Sequence, residues 1–294
     1  MTLTVFTPVY NRRELLLDLY QSLEEQSCKE FIWSIVDDGS TDGTKETVES
    51  ISQNASFKIM YTYQNNQGKH VAHNTGVDMC ETDLFVCVDS DDKLTEDAVE
   101  TVLKVADEHK NENLLGFFFR KVDTLGNVSG GSFIIDPLIG IRDLYHTFGF
   151  NGELVIVLYT HFAKKSRFPK FENEKFVSEL VYYNELNSLA PMLWTDKAIY
   201  IYEYQESGYS KNANKLIVNN PYGAACGYLS EAHYASKLFS RIKNYAEYNS
   251  ISQIFNLDKS KLPEFKIGII EKIGGFFLQI HYCILFNSMK EMRN

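Results

Sequence analysis

The sequence predicts an α/β fold, a mostly parallel central sheet followed by a helical C-terminal region. Three observations carry this. Short apolar runs alternate with helix-period segments through residues 1–122, and successive runs end on polar or acidic turns. The last seventy or so residues are instead mostly helical in pattern, with Tyr, Phe and Lys interleaved. Strands alternating with helices at that pace specify a parallel sheet with right-handed crossovers. The expected organisation is a domain over residues 1–220, divided at 122/123, and a helical region over 221–294.

Length and composition set the outer bounds. A chain of 294 residues with 44% hydrophobic content can bury a sizeable core. Its net charge of −10 argues against a general nucleic-acid binder, which needs a basic face to displace counterions, and leaves room for a local basic pocket. Residues 223–294 carry nine Lys/Arg against six Asp/Glu, so this +3 segment leaves −13 for residues 1–222. The five cysteines, Cys28, Cys80, Cys87, Cys226 and Cys283, fit no zinc spacing and read as reduced thiols of a cytoplasmic protein. Met1–Val5 reads as a strand and not a signal peptide, and no run reaches the roughly 20 apolar residues of a spanning helix.

In chain order, Leu3–Thr7 is the first strand, expected to end at Pro8, which cannot donate to a ladder. Asn11-Arg-Arg-Glu14 has the form of a capping box opening a helix that buries Leu16, Leu19, Tyr20 and Leu23. Phe31–Val36 is the second strand, closed by the turn residues Asp37–Gly43. A helix over Thr44–Ser52, a strand over Lys58–Tyr63 and a helix over 70–80 follow. Leu84–Val88 is a strand apolar on both faces, and it runs straight into Asp89, Asp91 and Asp92. Thr95–His109 is a helix and Leu115–Val122 a strand. Beyond it the pattern loosens: a turn at Gly126–Gly131, a strand at 153–159, an amphipathic helix at Glu174–Leu186 and a strand at Ala198–Tyr204.

The acids after Val88 are the chemical centre of the sequence. A buried strand ends on carboxylates only at a sheet's solvent edge, because an unpaired buried charge costs several kcal/mol. In open α/β sheets ligands sit at that edge. Asp89 and Asp91 can direct two hard oxygens to one side, which suits Mg²⁺ or Mn²⁺ carrying a diphosphate; the plainer alternative is a turn that caps the next helix. Thr7–Asn11 and Val36–Asp42 end on the same side. There Asp38 can accept from a base or a ribose hydroxyl, and the backbone after Pro8 can pack on the base. Gly68 turns the chain into a helix N-terminus, which favours anions, and Lys69 adds charge beside it. His70 and His73 lie three apart without a third metal ligand nearby.

Thr7-Pro-Val-Tyr-Asn-Arg12, Val36-Asp-Asp-Gly-Ser-Thr-Asp42, Asn66-Gln-Gly68 through Ala72-His-Asn-Thr-Gly76 and Val88-Asp-Ser-Asp-Asp92 together resemble the inverting family-two glycosyltransferases of the GT-A fold. The resemblance implies a UDP-sugar donor and Mn²⁺ or Mg²⁺. It assigns the donor to Thr7, Pro8, Tyr10, Asn11, Asp38, Gly68, Lys69, Asn74, Asp89 and Ser90, with Asp38 at the uracil. Asp89 would meet ribose and metal, and Asp91 metal and diphosphate. His73 stands where many members have Arg, which would make a contact there pH-dependent or absent.

The second half resembles bacterial polysaccharide transferases more loosely. Phe171–Leu180 occupies the place of an acidic pair before a helix, which makes Glu179 the candidate general base and Glu174 and Glu172 its reserves. Lys211, in Tyr204–Asn212, would neutralise the leaving diphosphate. The implied acceptor is a hydroxyl of a glycan or lipid-linked glycan, in surface polysaccharide synthesis. Two alternatives stay open: a non-catalytic partner subunit of the same fold, and a sugar nucleotidyltransferase, against which the glycine-free Leu3–Arg13 counts. Lys266, Lys272, Lys290 and Arg293 with the apolar run Ile273–Phe286 suit either a helix peripheral on the inner face of the membrane or one buried in the core or a homodimer.

Overall fold

The computed structural model describes residues 1–131, 137–146, 148–202 and 213–291. The chain divides into two compact units, Met1–Ser166 with Leu186–Gln205, and Arg167–Glu185 with Glu206–Asn294.

The first unit holds one sheet. Its strands are β1 (Leu3–Val9), β2 (Phe31–Asp37), β3 (Lys58–Tyr63), β4 (Leu84–Cys87), β5 (Lys93–Leu94), β6 (Gly116–Asp123), β7 (Leu138–Ile139), β8 (Leu154–Tyr159) and β9 (Met192–Tyr202). They lie in the order β3-β2-β1-β4-β8-β6-β9-β5, with β7 pairing β9. The block β3-β2-β1-β4 is parallel throughout. β8 enters antiparallel between β4 and β6, while β6 and β9 run parallel. All seven residues of β1 are buried, as expected of a strand covered on both faces.

Pro8 does not end β1. The strand continues to Val9, pairing Pro8 with Val36 and Val9 with Asp37. The ladder shows why. The Phe6 carbonyl accepts from Val88 on the β4 side, and the Val9 carbonyl accepts from Asp38 on the β2 side. Alternation therefore turns the missing Pro8 donor toward β4, whose last paired residue, Cys87, lies opposite Phe6. No ladder bond is lost, so the ring is tolerated.

The crossover helices are α1 (Arg13–Glu24), α2 (Thr44–Ser52), α3 (Lys69–Met79) and α4 (Ala98–Glu108), with short helices α5 (Ile141–His146) and α6 (Thr160–Ala163) later in the unit. The capping box predicted at Asn11 does not form. Asn11 sits at φ +50° and its side chain accepts from the Thr41 amide at 2.8 Å, while Asp42 caps α1 from a distance by accepting from the Arg13 amide at 3.0 Å. α4 starts three residues later than expected, because Thr95 folds into a turn in which its hydroxyl donates to Asp97 and its carbonyl accepts from Ala98.

The second unit is helical: α7 (Glu179–Leu186, at the junction with the first unit), α8 (Ala213–Asn219), α9 (Pro221–Tyr234), α10 (Leu238–Ile254) and α11 (Ile269–Glu291). Residues 167–185 belong here and not with the sheet, so the division differs from the expected one at 220/221. The cause is local. Both Glu174 oxygens accept from the first amides of α9, Tyr222 at 2.8 Å and Gly223 at 2.7 Å, and Asn184 donates to Ser230 and Glu231. The same bonds shorten α7, which begins at Glu179 and not at Glu174. α11 is a single 23-residue helix, long and apolar enough to cross a membrane, where the sequence pattern marked only a 14-residue run. The helix continues through Gln279 and His281, which interrupt the run.

α3 closes directly onto β1 at Gly76, where an added Cβ would lie 2.4 Å from the Phe6 ring. Phe6 is fully buried and has nowhere to move. Gly76→Ala is expected to destabilise the chain by about 1–3 kcal/mol, the usual cost of overpacking. Urea unfolding checks this, and an unchanged midpoint overturns it.

Candidate active site

The parallel register brings the carboxyl ends of β1, β2 and β4 to one edge. There Asp38, buried at the end of β2, ties the edge together. Its Oδ1 accepts from Gln64 Nε2 at 2.7 Å and the Gln67 amide at 2.9 Å, and its Oδ2 accepts from the Gly68 amide at 2.7 Å. Asp37 accepts from the Ser40 amide and the Tyr61 hydroxyl, each at 2.7 Å. Gly39 has φ +89°, and a Cβ on it would lie 2.8 Å from the Asn66 amide, so only glycine allows the two loops to touch. Gly68, at φ +95°, then releases the chain into α3.

Each carboxylate beyond β4 is dealt with differently. Asp89 pairs with Lys69 Nζ at 2.9 Å. Desolvation would raise its pKa, but Lys69, with help from Lys121 and Arg12, outweighs this and holds it below the usual range. Asp91 pairs with the Arg12 guanidinium. Asp92 is buried and accepts from the Tyr200 hydroxyl at 2.7 Å; burial pushes its pKa up to about 6 despite that bond. The same hydroxyl accepts from the Asp89 amide at 3.1 Å, which fixes the turn between the acids. Lys121 Nζ sits 4.3 Å from the centre of the Tyr200 ring. None of the three acids caps α4, whose N-cap position is Asp97.

The sequence pattern alone does not mark Arg12, Tyr200 or Lys121 as members of the site. For Arg12 the signal is its place in the Thr7–Arg12 motif, a charge at a strand end that faces acids. Tyr200 sits in a strand segment where nothing marks its hydroxyl.

Several expected donor contacts have other partners here. Thr7 is buried and accepts from Trp33 Nε1 at 3.0 Å, and Pro8 is buried within β1. The Gln67 and Gly68 amides, part of the expected helix-start phosphate site, are occupied by Asp38. Asn11 joins β1 to the Asp37–Gly43 turn through Ser40 and Thr41. Tyr10 is exposed, Asn74 half-buried on α3 and Ser90 buried. His73 is buried and packs edge-on against the stacked Phe6 and Phe85 rings.

In the second unit Glu179 is exposed at the start of α7, Glu172 is exposed, and Glu174 is the buried cap of α9. Burial raises the Glu174 pKa against those two amide bonds. With both oxygens engaged, Glu174 is unsuited to take a proton from an acceptor. Lys211 and Arg293 lie outside the described residues.

Among the described residues no three His, Cys, Asp or Glu side chains gather to hold a metal. Asp89 and Asp91 still fit a hard divalent ion bound with a diphosphate. Mg²⁺ in such sites takes one or two carboxylates and completes its shell with phosphate oxygens and water.

A parallel-stranded α/β domain with acids and bases gathered beyond its strand ends is the architecture of a GT-A-fold glycosyltransferase. Residues 4–166 match Glycosyl transferase family 2, and the chain belongs to that family. It is 27% identical over 222 residues to the glycosyltransferase GlyA of Streptococcus pneumoniae, covering 71% of this chain but 31% of the relative. It is 28% identical over 246 residues to the GalNAc(5)-diNAcBac-PP-undecaprenol beta-1,3-glucosyltransferase of Campylobacter jejuni, covering 78% of this chain and 72% of the relative. In fold it is similar to Staphylococcus aureus TarS 1-349 in complex with UDP-GlcNAc, at TM-score 0.59 and 17% identity over 99% of this chain and 91% of that one. The mannosyltransferase PcManGT of Pyrobaculum calidifontis, in complex with GDP-Man and Mn2+, aligns at TM-score 0.56 and 14% identity over 98% and 86%. Membership of this family sets the nucleotidyltransferase alternative aside.

His70 is buried at the start of α3, and burial lowers its pKa to about 4. A depressed imidazole contributes stability above the unfolded value near 6.5 and loses it as pH falls through about 4. Unfolding free energy should therefore fall by up to about 3 kcal/mol across that window. His70→Gln should flatten the slope in urea unfolding measured against pH; an unaltered slope assigns the loss elsewhere.

Proposed function

We propose that this chain moves a sugar from a UDP-sugar to a hydroxyl of a glycan or lipid-linked glycan, with inversion, in bacterial surface polysaccharide synthesis and at a cytoplasmic location. One observation supports this above the others: two acids and two cations, Asp89 with Lys69 and Asp91 with Arg12, share the sheet edge beyond β4. That set matches a metal–diphosphate, because acids ligate the metal and cations take phosphate oxygens. The UDP-GlcNAc carried by TarS and the PP-undecaprenol in the Campylobacter relative's name support the donor and acceptor classes.

In this reading Asp89 and Asp91 hold Mg²⁺ or Mn²⁺, which when bound stabilises charge building on the departing diphosphate. Lys69 and Arg12 turn from the carboxylates to the phosphates and add to the same stabilisation. Tyr200 keeps the Asp89–Asp92 turn in place while this occurs. Tyr10 and Asn11 border the nucleoside, with Asp38 holding the loops that shape its pocket. Glu179 removes the proton from the acceptor hydroxyl, which then attacks the anomeric carbon from the face opposite the diphosphate. Glu179 is exposed at the start of α7, whereas both Glu174 oxygens are tied to α9.

UDP should bind more tightly with Mn²⁺ or Mg²⁺ than in chelator, and Asp91→Asn should abolish that gain while leaving the circular dichroism spectrum unchanged. Calorimetric titration of UDP reads both. Equal affinity with and without metal rejects the metal role.

Glu179→Gln should lower transfer by about 10²–10⁴ while leaving UDP binding within a factor of two or so, the usual range for a lost general base. Transfer from a panel of UDP-, GDP- and dTDP-sugars, with the anomeric configuration of the product read by NMR, tests base and donor together. Retained configuration excludes the single displacement, and full activity of the variant removes Glu179 from it.

A further inference from the structure

α11 turns the usual helical pattern outward. Its inner face is occupied along its length. Glu271 pairs with Arg241 at 2.8 Å, Gly275 would meet Tyr245 at 2.8 Å if it carried a Cβ, and Phe286 is buried against Tyr228. The Gln279 carbonyl accepts from Ser250 on α10, and Lys290 donates to the Ile254 carbonyl. The opposite face is apolar and open over four turns: Ile269, Ile273 (56% exposed), Phe276, Phe277 (75%), Ile280 (74%) and Ile284. These positions recur at the 3.6-residue period, so they form one stripe.

We propose that this stripe lies in the interfacial plane of an anionic membrane, with α10 stacked behind it. Spanning is excluded by the inner face. α11 is fastened to α10, which carries Arg241, Lys243 and Glu247, and crossing would take these charges and Glu271 into hydrocarbon. Lying flat needs only the outward stripe to enter the headgroup and acyl boundary.

Charge selects lipid over a second copy of the chain. Lys272 is exposed beside the stripe, and Lys290, 18 residues or five helical turns on, lies on the same side with its ammonium held by the Ile254 carbonyl. Glu271 is already paired inward, so the exposed acid of α11 is Glu291 at its end. A second copy would oppose these lysines with lysines. An anionic leaflet opposes them with phosphate, which is worth roughly fivefold in affinity per basic residue near the surface.

The test uses the intact chain, with vesicles of phosphatidylcholine alone or mixed with phosphatidylglycerol. It should sediment with the anionic vesicles at low salt, and binding should fall about tenfold or more with neutral vesicles or high salt. Ile273→Glu with Ile280→Glu changes exposed side chains, so the fold should persist by circular dichroism while sedimentation is lost. Lys272→Glu alone should weaken binding severalfold. Light scattering without lipid supplies the other arm. Intact chain that stays in the supernatant with both vesicle types overturns the proposal, as does a dimer that the Ile273→Glu, Ile280→Glu variant converts to monomer.

Discussion

The site depends on one buried carboxylate. Asp38 accepts three hydrogen bonds from residues 64–68, which join the end of β2 to the start of α3. A buried carboxylate left without donors would be too costly to keep charged. The loop therefore folds around it, and that fold fixes where α3 begins. Lys69 is the first residue of α3, so its reach to Asp89 follows from the position of Asp38. Gly39 and Gly68 are the permissive elements: one lets the loops touch, the other lets the chain leave at positive φ.

Much of this fold was legible because the first unit obeys local rules. The α2 and β3 boundaries coincide with the hydrophobic periodicity, and β2 and β4 differ from it by one residue. Beyond residue 122 the signal fades for a physical reason. β8 enters the sheet antiparallel between strands far from it in sequence, and the two-residue strands β5 and β7 are set by pairing with β9 and not by any pattern of their own. Capping misled twice. Asn11-Arg-Arg-Glu14 has the right letters, yet Asn11 serves the neighbouring turn and Asp42 serves the helix. Glu174 looked like a helix's first acid and is the cap of another helix altogether. In both cases a tertiary hydrogen bond outcompeted the local one.

For the site, acids were easier to read than their partners. Three Asp after an apolar strand are conspicuous because buried strands rarely end that way. Arg12 and Tyr200 are ordinary in sequence, and become informative only once β1 and β9 are placed beside the turn after β4. The same holds for Thr7 and the Gly68 amide. Each sat in a motif that pointed at a ligand, and each turned out to hold the edge together.

Three carboxylates within four residues ought to repel one another, and the way each is accommodated bears on the proposed chemistry. Asp92 is buried, bonded to Tyr200 and pushed toward neutrality, so it acts as a fixed post. Lys69 holds the Asp89 carboxyl below its usual range, Asp91 pairs with Arg12, and both pairs are partly exposed. Partly exposed ion pairs are individually weak, of the order of 1 kcal/mol or less, so exchanging partners is inexpensive. A divalent metal with a doubly charged diphosphate adds two acids' worth of cation and two cations' worth of anion. On the proposed reading every charge in the cluster would then change partner while the local total stays the same. A bare pair of acids would bind the metal but repel the diphosphate, and a bare pair of cations would do the reverse. Presenting both, already in contact, would let one ligand replace two ion pairs with four.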